Sequence, residues 1–236
     1  MKRVTGTNFF LTSTGRCRIK AYLFIIMVTR KEAARHPSGF IDPCRPTKAV
    51  RPPSGPDWVH EIKHDGFRLL VRKEGSRVRC FTRGGHDWAD RFPAIVEAAK
   101  GLQPQSFMID GEAVICRPDG VSDFDALRLG RRAHEVTLAA FDLIELQAAD
   151  LRKEPLFNRK QRLARILSGG PKGDCLQRAH HARRPTVFDH ACRLGLEGIV
   201  SKRLDSPYRS GAVKTWLKSK NPLSEAVRRE TEEDWS

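Results

Sequence analysis

The chain has 236 residues, 39% apolar and 30% charged, which is enough apolar material for a packed core and excludes a globally disordered polymer. Its 43 Lys and Arg against 28 Asp and Glu give a net charge of +15, which points to a polyanionic partner such as nucleic acid. No run approaches the roughly 20 apolar residues of a membrane span, so no membrane role is expected.

Residues 1–31 hold Lys2, Arg3, Arg16, Arg18, Lys20, Arg30 and Lys31 and no acid. The apolar run 21–28 is short, and Thr29-Arg30-Lys31 follows it where an export signal would have small residues. Residues 1–38 are therefore expected to be an extension, either a disordered arm or sequence upstream of a native start at Met27. The rest of the chain is basic without them.

Residues 39–56 are rich in Pro and Gly and read as an extended lead-in. Residues 58–62, Trp-Val-His-Glu-Ile, alternate as a half-buried strand does, and 63–66 break the pattern. Two further strands are expected over 67–72 and 77–82, joined by the hairpin signal Lys73-Glu74-Gly75-Ser76. Residues 92–102 carry Ile95, Val96 and Ala99 at helical spacing, with Gly101 near the end. A strand over 107–116 closes in the turn Arg117-Pro118-Asp119-Gly120. Ser122-Asp123-Phe124-Asp125 resembles a helix start with an acidic first turn.

A long strand is expected over 136–146, and a basic amphipathic helix over 158–167, ended by Gly169-Gly170. A helix over 186–194 stops at Gly195. The last strands are expected over 197–202 and 215–220. Residues 223–236 read as a charged tail forming a surface helix. Strands outnumber helices and hairpins come early, so the expected class is α+β with mainly antiparallel sheets.

Six cysteines (Cys17, Cys44, Cys80, Cys116, Cys175, Cys192) form no C-x-x-C pair, which fits a reducing cytoplasm better than a disulfide framework. Cys175, His180, His181, His190 and Cys192 cluster in sequence, but no pair has the usual zinc spacing, so they read as loop and core residues.

Chemistry concentrates in Glu61-Ile62-Lys63-His64-Asp65-Gly66-Phe67-Arg68. A lysine leaves a strand and enters a tight turn. Its amine attacks phosphorus only when neutral, and neighbouring cations or a metal would lower its pKa. Gly66 would let a phosphate approach the backbone. Glu112 and Glu197 are carboxylates in otherwise apolar runs, where a charge needs a partner; hard oxygens of this kind suit a divalent metal, and an internal salt bridge is the alternative. Lys218 and Lys220 sit two apart on a strand and share a face.

These strings resemble the covalent nucleotidyltransferases, which include ATP-dependent DNA ligases and mRNA capping enzymes. Lys63-His64-Asp65-Gly66-Phe67-Arg68 matches motif I, and Phe81-Thr82-Arg83-Gly84-Gly85 resembles motif Ia. Ile109-Asp110-Gly111-Glu112 resembles motif III, and Ala140-Phe141-Asp142-Leu143 motif IIIa. Glu197-Gly198-Ile199-Val200-Ser201-Lys202 matches motif IV, and Trp216-Leu217-Lys218-Ser219-Lys220 motif V. The order is the family's, and the wording is closest to the ligase domain of bacterial end-joining ligases.

The resemblance implies an α+β nucleotidyltransferase (adenylation) domain over 39–222, ATP-grasp-like, with two mainly antiparallel sheets flanked by helices; full ligases of the family carry an OB-fold after motif V, which the 16 residues after Lys220 cannot hold, so it is expected to be absent. It implies that Lys63 attacks the α-phosphate of ATP to form lysyl-AMP and that Lys218 and Lys220 hold that phosphate. Phe141 would stack on the base, and Glu61 would accept from the adenine amino group, which favours ATP over GTP. Arg68 would contact the ribose, and Arg83 the sugar or the 5′-phosphate of the nick. Glu197 would bind Mg²⁺ or Mn²⁺, with Glu112 nearer the ribose and a second metal contact. Asp65 would orient the turn; His60 and His64 read as bystanders.

The implied activity is sealing of nicks in duplex DNA, in repair or recombination, by a cytoplasmic, nucleoid-associated monomer. End-joining proteins or a separate OB-fold protein are the expected partners. An adenylyltransferase half-enzyme and an inactive nucleic-acid-binding remnant stay open as alternatives. Two departures stand out. Without an OB-fold, self-adenylylation is expected to be slow. The family's arginine after Tyr-x-x-Gly is replaced here, since Ala212 follows Tyr208-Arg209-Ser210-Gly211. Residues 177–184 also lack the family's usual acidic character.

Overall fold

The structure, a computed structural model, describes residues 37–169, 176–178, 181–182 and 186–233. The extension expected before residue 37 lies outside the described residues, as do Cys17, Cys175 and His180 and half of 177–184.

Two sheets form the body, as the strand-rich pattern requires. The first is built from β1 (Cys44–Lys48), β2 (Trp58–Lys63), β9 (His181–Ala182), β10 (Gly198–Arg203) and β11 (Gly211–Lys220), in the order β1-β11-β10-β2-β9. The second contains β3 (Phe67–Glu74), β4 (Arg77–Thr82), β5 (Ser106–Val114), β6 (Thr137–Leu146) and β7 (Ala149–Asp150), in the order β4-β3-β5-β6-β7, with β8 (Leu176–Arg178) beside β6. Pairing is antiparallel except for β1 with β11 and β6 with β8. The helices are α1 (Pro93–Lys100), α2 (Phe124–Arg128), α3 (Leu156–Ser168), α4 (Thr186–Arg193) and α5 (Glu225–Glu233).

Alternation along β3 explains how the layers stack. Leu69 and Val71 face one cluster with Ile95, Ile109, Leu138 and Leu163, which joins the second sheet to α1 and α3. Leu70 faces the other way, onto Met108, Ile144, Tyr208 and Trp216, the apolar filling between the two sheets. A strand buried on both faces loses the clean polar alternation of a surface strand. The turn between β3 and β4 is the expected hairpin, with Gly75 at φ +60°. The Asp123 side chain caps α2, accepting from the Ala126 N–H at 3.0 Å.

Two readings need correction. Residues 44–48 are a strand, where the sequence suggested only an extended lead-in. Pro46 and two basic residues disguise it, and an edge strand tolerates a proline beside a register shift, which falls here between Pro46 and Thr47. β11 also starts at Gly211, four residues before the expected Thr215, because its early residues pair with β1.

The charged segment after Pro222 forms α5, whose start is capped by the Ser224 hydroxyl accepting from the Val227 N–H at 3.3 Å. Arg229 on this helix donates to Asp65 at 2.9 Å, so α5 rests on the turn that follows β2. Among the described residues, no helix is long and apolar enough to cross a membrane.

Candidate active site

A cleft of about 470 Å³ lies between the sheets. Its walls carry Glu61, Lys63, Arg68, Arg83, Glu112, Phe141 and Lys218, seven of the residues the sequence singled out. The other two, Glu197 and Lys220, meet at the Lys63 amine.

Lys63 is the last residue of β2, and Gly198 is its partner across the ladder with β10. That register sets Glu197, the residue before β10, beside the amine: Lys63 Nζ lies 2.6 Å from Glu197 Oε1, and Lys220 Nζ is 3.5 Å from the same oxygen. Burial pulls the Lys63 pKa down, but the carboxylates of Glu197 and Glu112 outweigh it and hold the group above its ordinary value. The sequence reading expected surroundings that lower this pKa. The carboxylates it assigned to a metal also raise the pKa of the lysine.

Glu112 sits on β5 opposite Arg68 of β3. Burial raises its pKa to about 7, against the opposing pull of Lys63 and Arg68. The second oxygen of Glu197, Oε2, is buried and has no hydrogen-bond partner. An orphaned carboxylate oxygen and a carboxyl reluctant to ionise are the signs of a site short of positive charge. Two such oxygens suit a Mg²⁺-type ion, whose remaining ligands are commonly water and phosphate oxygens. Among the described residues no group of three or more His, Cys, Asp or Glu could hold a metal, so such an ion would depend on those other ligands.

At the other end of the cleft Glu61 is buried between two ammonium groups. Lys202 Nζ of β10 lies 2.7 Å from its Oε2, and Lys160 of α3 pairs with Oε1. Burial alone would raise the Glu61 pKa, but the two lysines outweigh it and hold the carboxyl below the usual range. Lys202, also buried, has its own pKa lowered by desolvation despite Glu61. Its ammonium stands 3.9 Å from the ring centroids of both Phe141 and Trp216. The two rings meet edge to face, 6.1 Å between centroids. One end of the cleft thus offers aromatic faces, a carboxylate acceptor and an ammonium donor, the features that recognise a flat heteroaromatic base.

Arg68 forms the floor. Its Nε and Nη2 donate to the two oxygens of Asp110 at 2.9 and 2.7 Å. Tyr208 OH donates to the same carboxylate at 2.7 Å and accepts from the Cys44 N–H at 3.0 Å. Asp110 is therefore a brace for Arg68. Asp142 does a similar job deeper in the core, with both oxygens bound by the fully buried Arg159 at 2.8 Å. Asp65 accepts from Arg229, as noted, while its N–H donates to the Ser122 hydroxyl at 3.3 Å. His60 Nδ1 sits 2.8 Å from the Ser201 hydroxyl in the sheet, away from the cleft walls. His64 is on the wall.

Gly66 has a different reason from the one the sequence suggested. A Cβ there would lie 2.2 Å from the carbonyl oxygen of Ala113 in β5, so the turn after Lys63 packs backbone against backbone. The sequence assigns no role to Lys160, Lys202 or Trp216. Lys160 looks like any solvated helix lysine, and only the fold turns it onto Glu61. Lys202 did carry a signal: a lysine inside the strand-forming string Ile199-Val200-Ser201-Lys202.

Residues 42–220 match the family model described as the ATP dependent DNA ligase domain. The multifunctional non-homologous end joining protein LigD of Pseudomonas aeruginosa is 39% identical over 177 residues, covering 73% of this chain and 21% of that protein. The crystal structure of the ligase domain of LigD from M. tuberculosis superposes with a TM-score of 0.66 at 27% identity, covering 75% of this chain and 60% of that one. A mycobacterial DNA ligase D complexed with ATP and MES gives a TM-score of 0.65, also at 27% identity, covering 75% of this chain and 59% of that one. The chain spans about a fifth of the LigD relative's length. A family match over most of the described body, on a fold that superposes on ligase domains of that family, places this chain in the ATP-dependent DNA ligase domain family.

Proposed function

We propose that this chain is the adenylation unit of an ATP-dependent DNA ligase, with Lys63 as the nucleophile. The observation that carries the reading is the placement of the Lys63 amine at the end of a cleft that has base-recognising groups at one end and Lys218, Lys220 and Glu197 at the other. Phosphoryl transfer asks mainly for positioning and charge neutralisation, and this cleft supplies both.

ATP enters with its base against Phe141, its 6-amino group donating to Glu61 and its ribose toward Arg68 and Glu112. Lys218 and Lys220 hold the α-phosphate. The Lys63 ammonium gives up a proton, for which Glu197 Oε1 is the adjacent acceptor. The neutral amine attacks the α-phosphorus, an N–P bond forms, the bond to the β-phosphate oxygen breaks, and pyrophosphate leaves. A divalent cation, Mg²⁺ or Mn²⁺, held by Glu197 and Glu112, would neutralise phosphate charge. The AMP then passes to the 5′-phosphate of a nick, with Arg83 on a phosphate, and the 3′-hydroxyl displaces it to seal the strand. The ATP complex of the mycobacterial relative supports the choice of nucleotide, and Glu61 speaks against GTP.

In this reading the partner is nicked or broken duplex DNA, in repair or recombination on the nucleoid in the cytoplasm, with end-joining proteins or a separate OB-fold protein as further partners. The basic charge supports it. The test is incubation with α-labelled ATP or GTP and Mg²⁺ or Mn²⁺, with Lys63→Ala as control, followed by a chase with nicked duplex. ATP label on Lys63 that moves into sealed DNA supports the proposal. Label that stays on the protein points to a half-enzyme that needs an OB-fold partner. Absence of label in every condition contradicts catalysis and leaves a binding remnant.

A further inference from the structure

The cations of the cleft differ in how far their charge is already matched. Lys63 faces Glu197, Arg68 is held by Asp110, and Lys202 faces Glu61. Arg45 also lines the cleft, is exposed, and has no carboxylate partner among the described residues. Its position is nevertheless fixed. The preceding residue, Cys44, is buried, and its N–H donates to Tyr208 OH, which in turn donates to the Asp110 brace of Arg68. The backbone carrying Arg45 is thus tied to the cleft floor by two hydrogen bonds in series.

Arg45 stands on β1 as the register partner of Ala212 on β11. A Cβ at Gly211 would lie 3.7 Å from Arg45 Nη2, so the guanidinium lies against the start of β11, where the side chain of Ala212 offers no charge of its own. Position 212 is where the resemblance placed an arginine. The rung Lys48–Lys218 is three residues further along β1, ~10 Å at the usual rise per residue, so the two cations start from separate points along the cleft wall.

We infer that Arg45 is a phosphate-binding residue at the mouth of the cleft: it takes a backbone phosphate of the DNA substrate and fills from β1 the place that Ala212 leaves empty on β11. The inference rests on the proposed ligase function and adds to it a contact outside the nucleotide subsite. A planar guanidinium on a braced strand is suited to a phosphodiester, which it can grip with two donors. The net charge of +15 points to nucleic acid as the source of that phosphate, and the label on Lys63 distinguishes it from a phosphate of the bound nucleotide.

The test uses the full chain and three variants: Arg45→Ala, Ala212→Arg and the two combined. Binding to nicked duplex is measured against salt, and ATP label on Lys63 is measured without DNA in the same preparations. Arg45→Ala is expected to bind about eightfold more weakly at ~0.1 M salt and to lower the slope of log affinity against log salt by about 0.9, the loss of one phosphate contact. Its label on Lys63 should match the parent chain. The combined variant should regain most of the affinity and the slope. The inference is overturned if Arg45→Ala binds DNA like the parent, if Ala212→Arg fails to rescue it, or if lysyl-AMP formation falls while DNA binding stays intact, which would assign the contact to the nucleotide. A parent chain that takes no label on Lys63 indicates failure of the ligase reading itself, a result separate from the DNA-binding comparison.

Discussion

Lys63 and Glu197 form a contact of 2.6 Å at the point where β2 ends and β10 begins. The pair holds the proposed nucleophile as an ammonium, so the same carboxylate that would serve a metal would also restrain the proposed attack. Glu197→Gln separates the two roles. The amine of the variant loses protons more easily, yet the proposed mechanism needs the carboxylate charge. Single-turnover labelling with ATP is expected to slow by about 100-fold or more, the scale of removing one positioned electrostatic group. Faster labelling would mean that Glu197 is only a brake.

Glu61 answers to two lysines, so removing its charge leaves the buried Lys202 ammonium without its carboxylate and takes one from half-buried Lys160, which still donates to the Phe141 carbonyl at 3.1 Å. Glu61→Gln is expected to cost about 3 kcal/mol of stability, as breakage of buried pairs does. Glu61→Leu combined with Lys202→Met should cost less than Glu61→Gln alone, since loss of both partners strands fewer charges. Urea denaturation of the three chains measures this. If the single and combined variants lose the same stability, Lys202 does not depend on Glu61.

Gly198 has φ +144°, and a Cβ on it would lie 2.2 Å from the Ser219 carbonyl oxygen. Backbone cannot yield as a flexible side chain does. Gly198→Ala is therefore expected to lose more than about 2 kcal/mol and to move Glu197 off Lys63. Gly75 is the control: at φ +60° in the β3–β4 turn it has open space around it, and Gly75→Ala should cost only about 1 kcal/mol. Equal melting shifts for the two variants would rule out the close approach as the cause.

His60 gives a pH dependence of stability. Burial lowers its pKa below the ordinary 6.5. Above that value the ring is neutral in folded and unfolded chains and stability is unaffected. As pH falls through 6.5 the unfolded chain takes up the proton first, so stability declines until the pH reaches the folded pKa. His60→Gln should flatten the stability profile just below pH 6.5. An unchanged slope in denaturation at pH 7, 6 and 5.5 would assign the acid sensitivity elsewhere.

The motif strings made the site legible because they carry chemistry in contiguous residues. Lys63, Phe141 and Lys218 line one cleft, with Glu197 against the Lys63 amine, and it was the motif resemblance that grouped them. Edge strand β1 was hidden by Pro46 and its charges, because its pairing with β11 is a long-range fact. The ordinary look of Lys160 on α3 concealed a buried ion pair for the same reason. The direction of the Lys63 pKa shift could not be read from spacing, since it depends on how closely the carboxylates of Glu197 and Glu112 approach the buried amine. Helices and hairpins were readable within a few residues, because caps and turns such as Asp123 and Gly75 act locally.

The most direct measurement is peptide mass mapping after treatment with ATP and Mg²⁺ or Mn²⁺, with Lys63→Ala in parallel. The account predicts one adenylyl group per chain, attached at Lys63 through an acid-labile N–P bond and missing from the variant. An adenylyl group on any other residue, or a parent chain whose mass never changes, would contradict it.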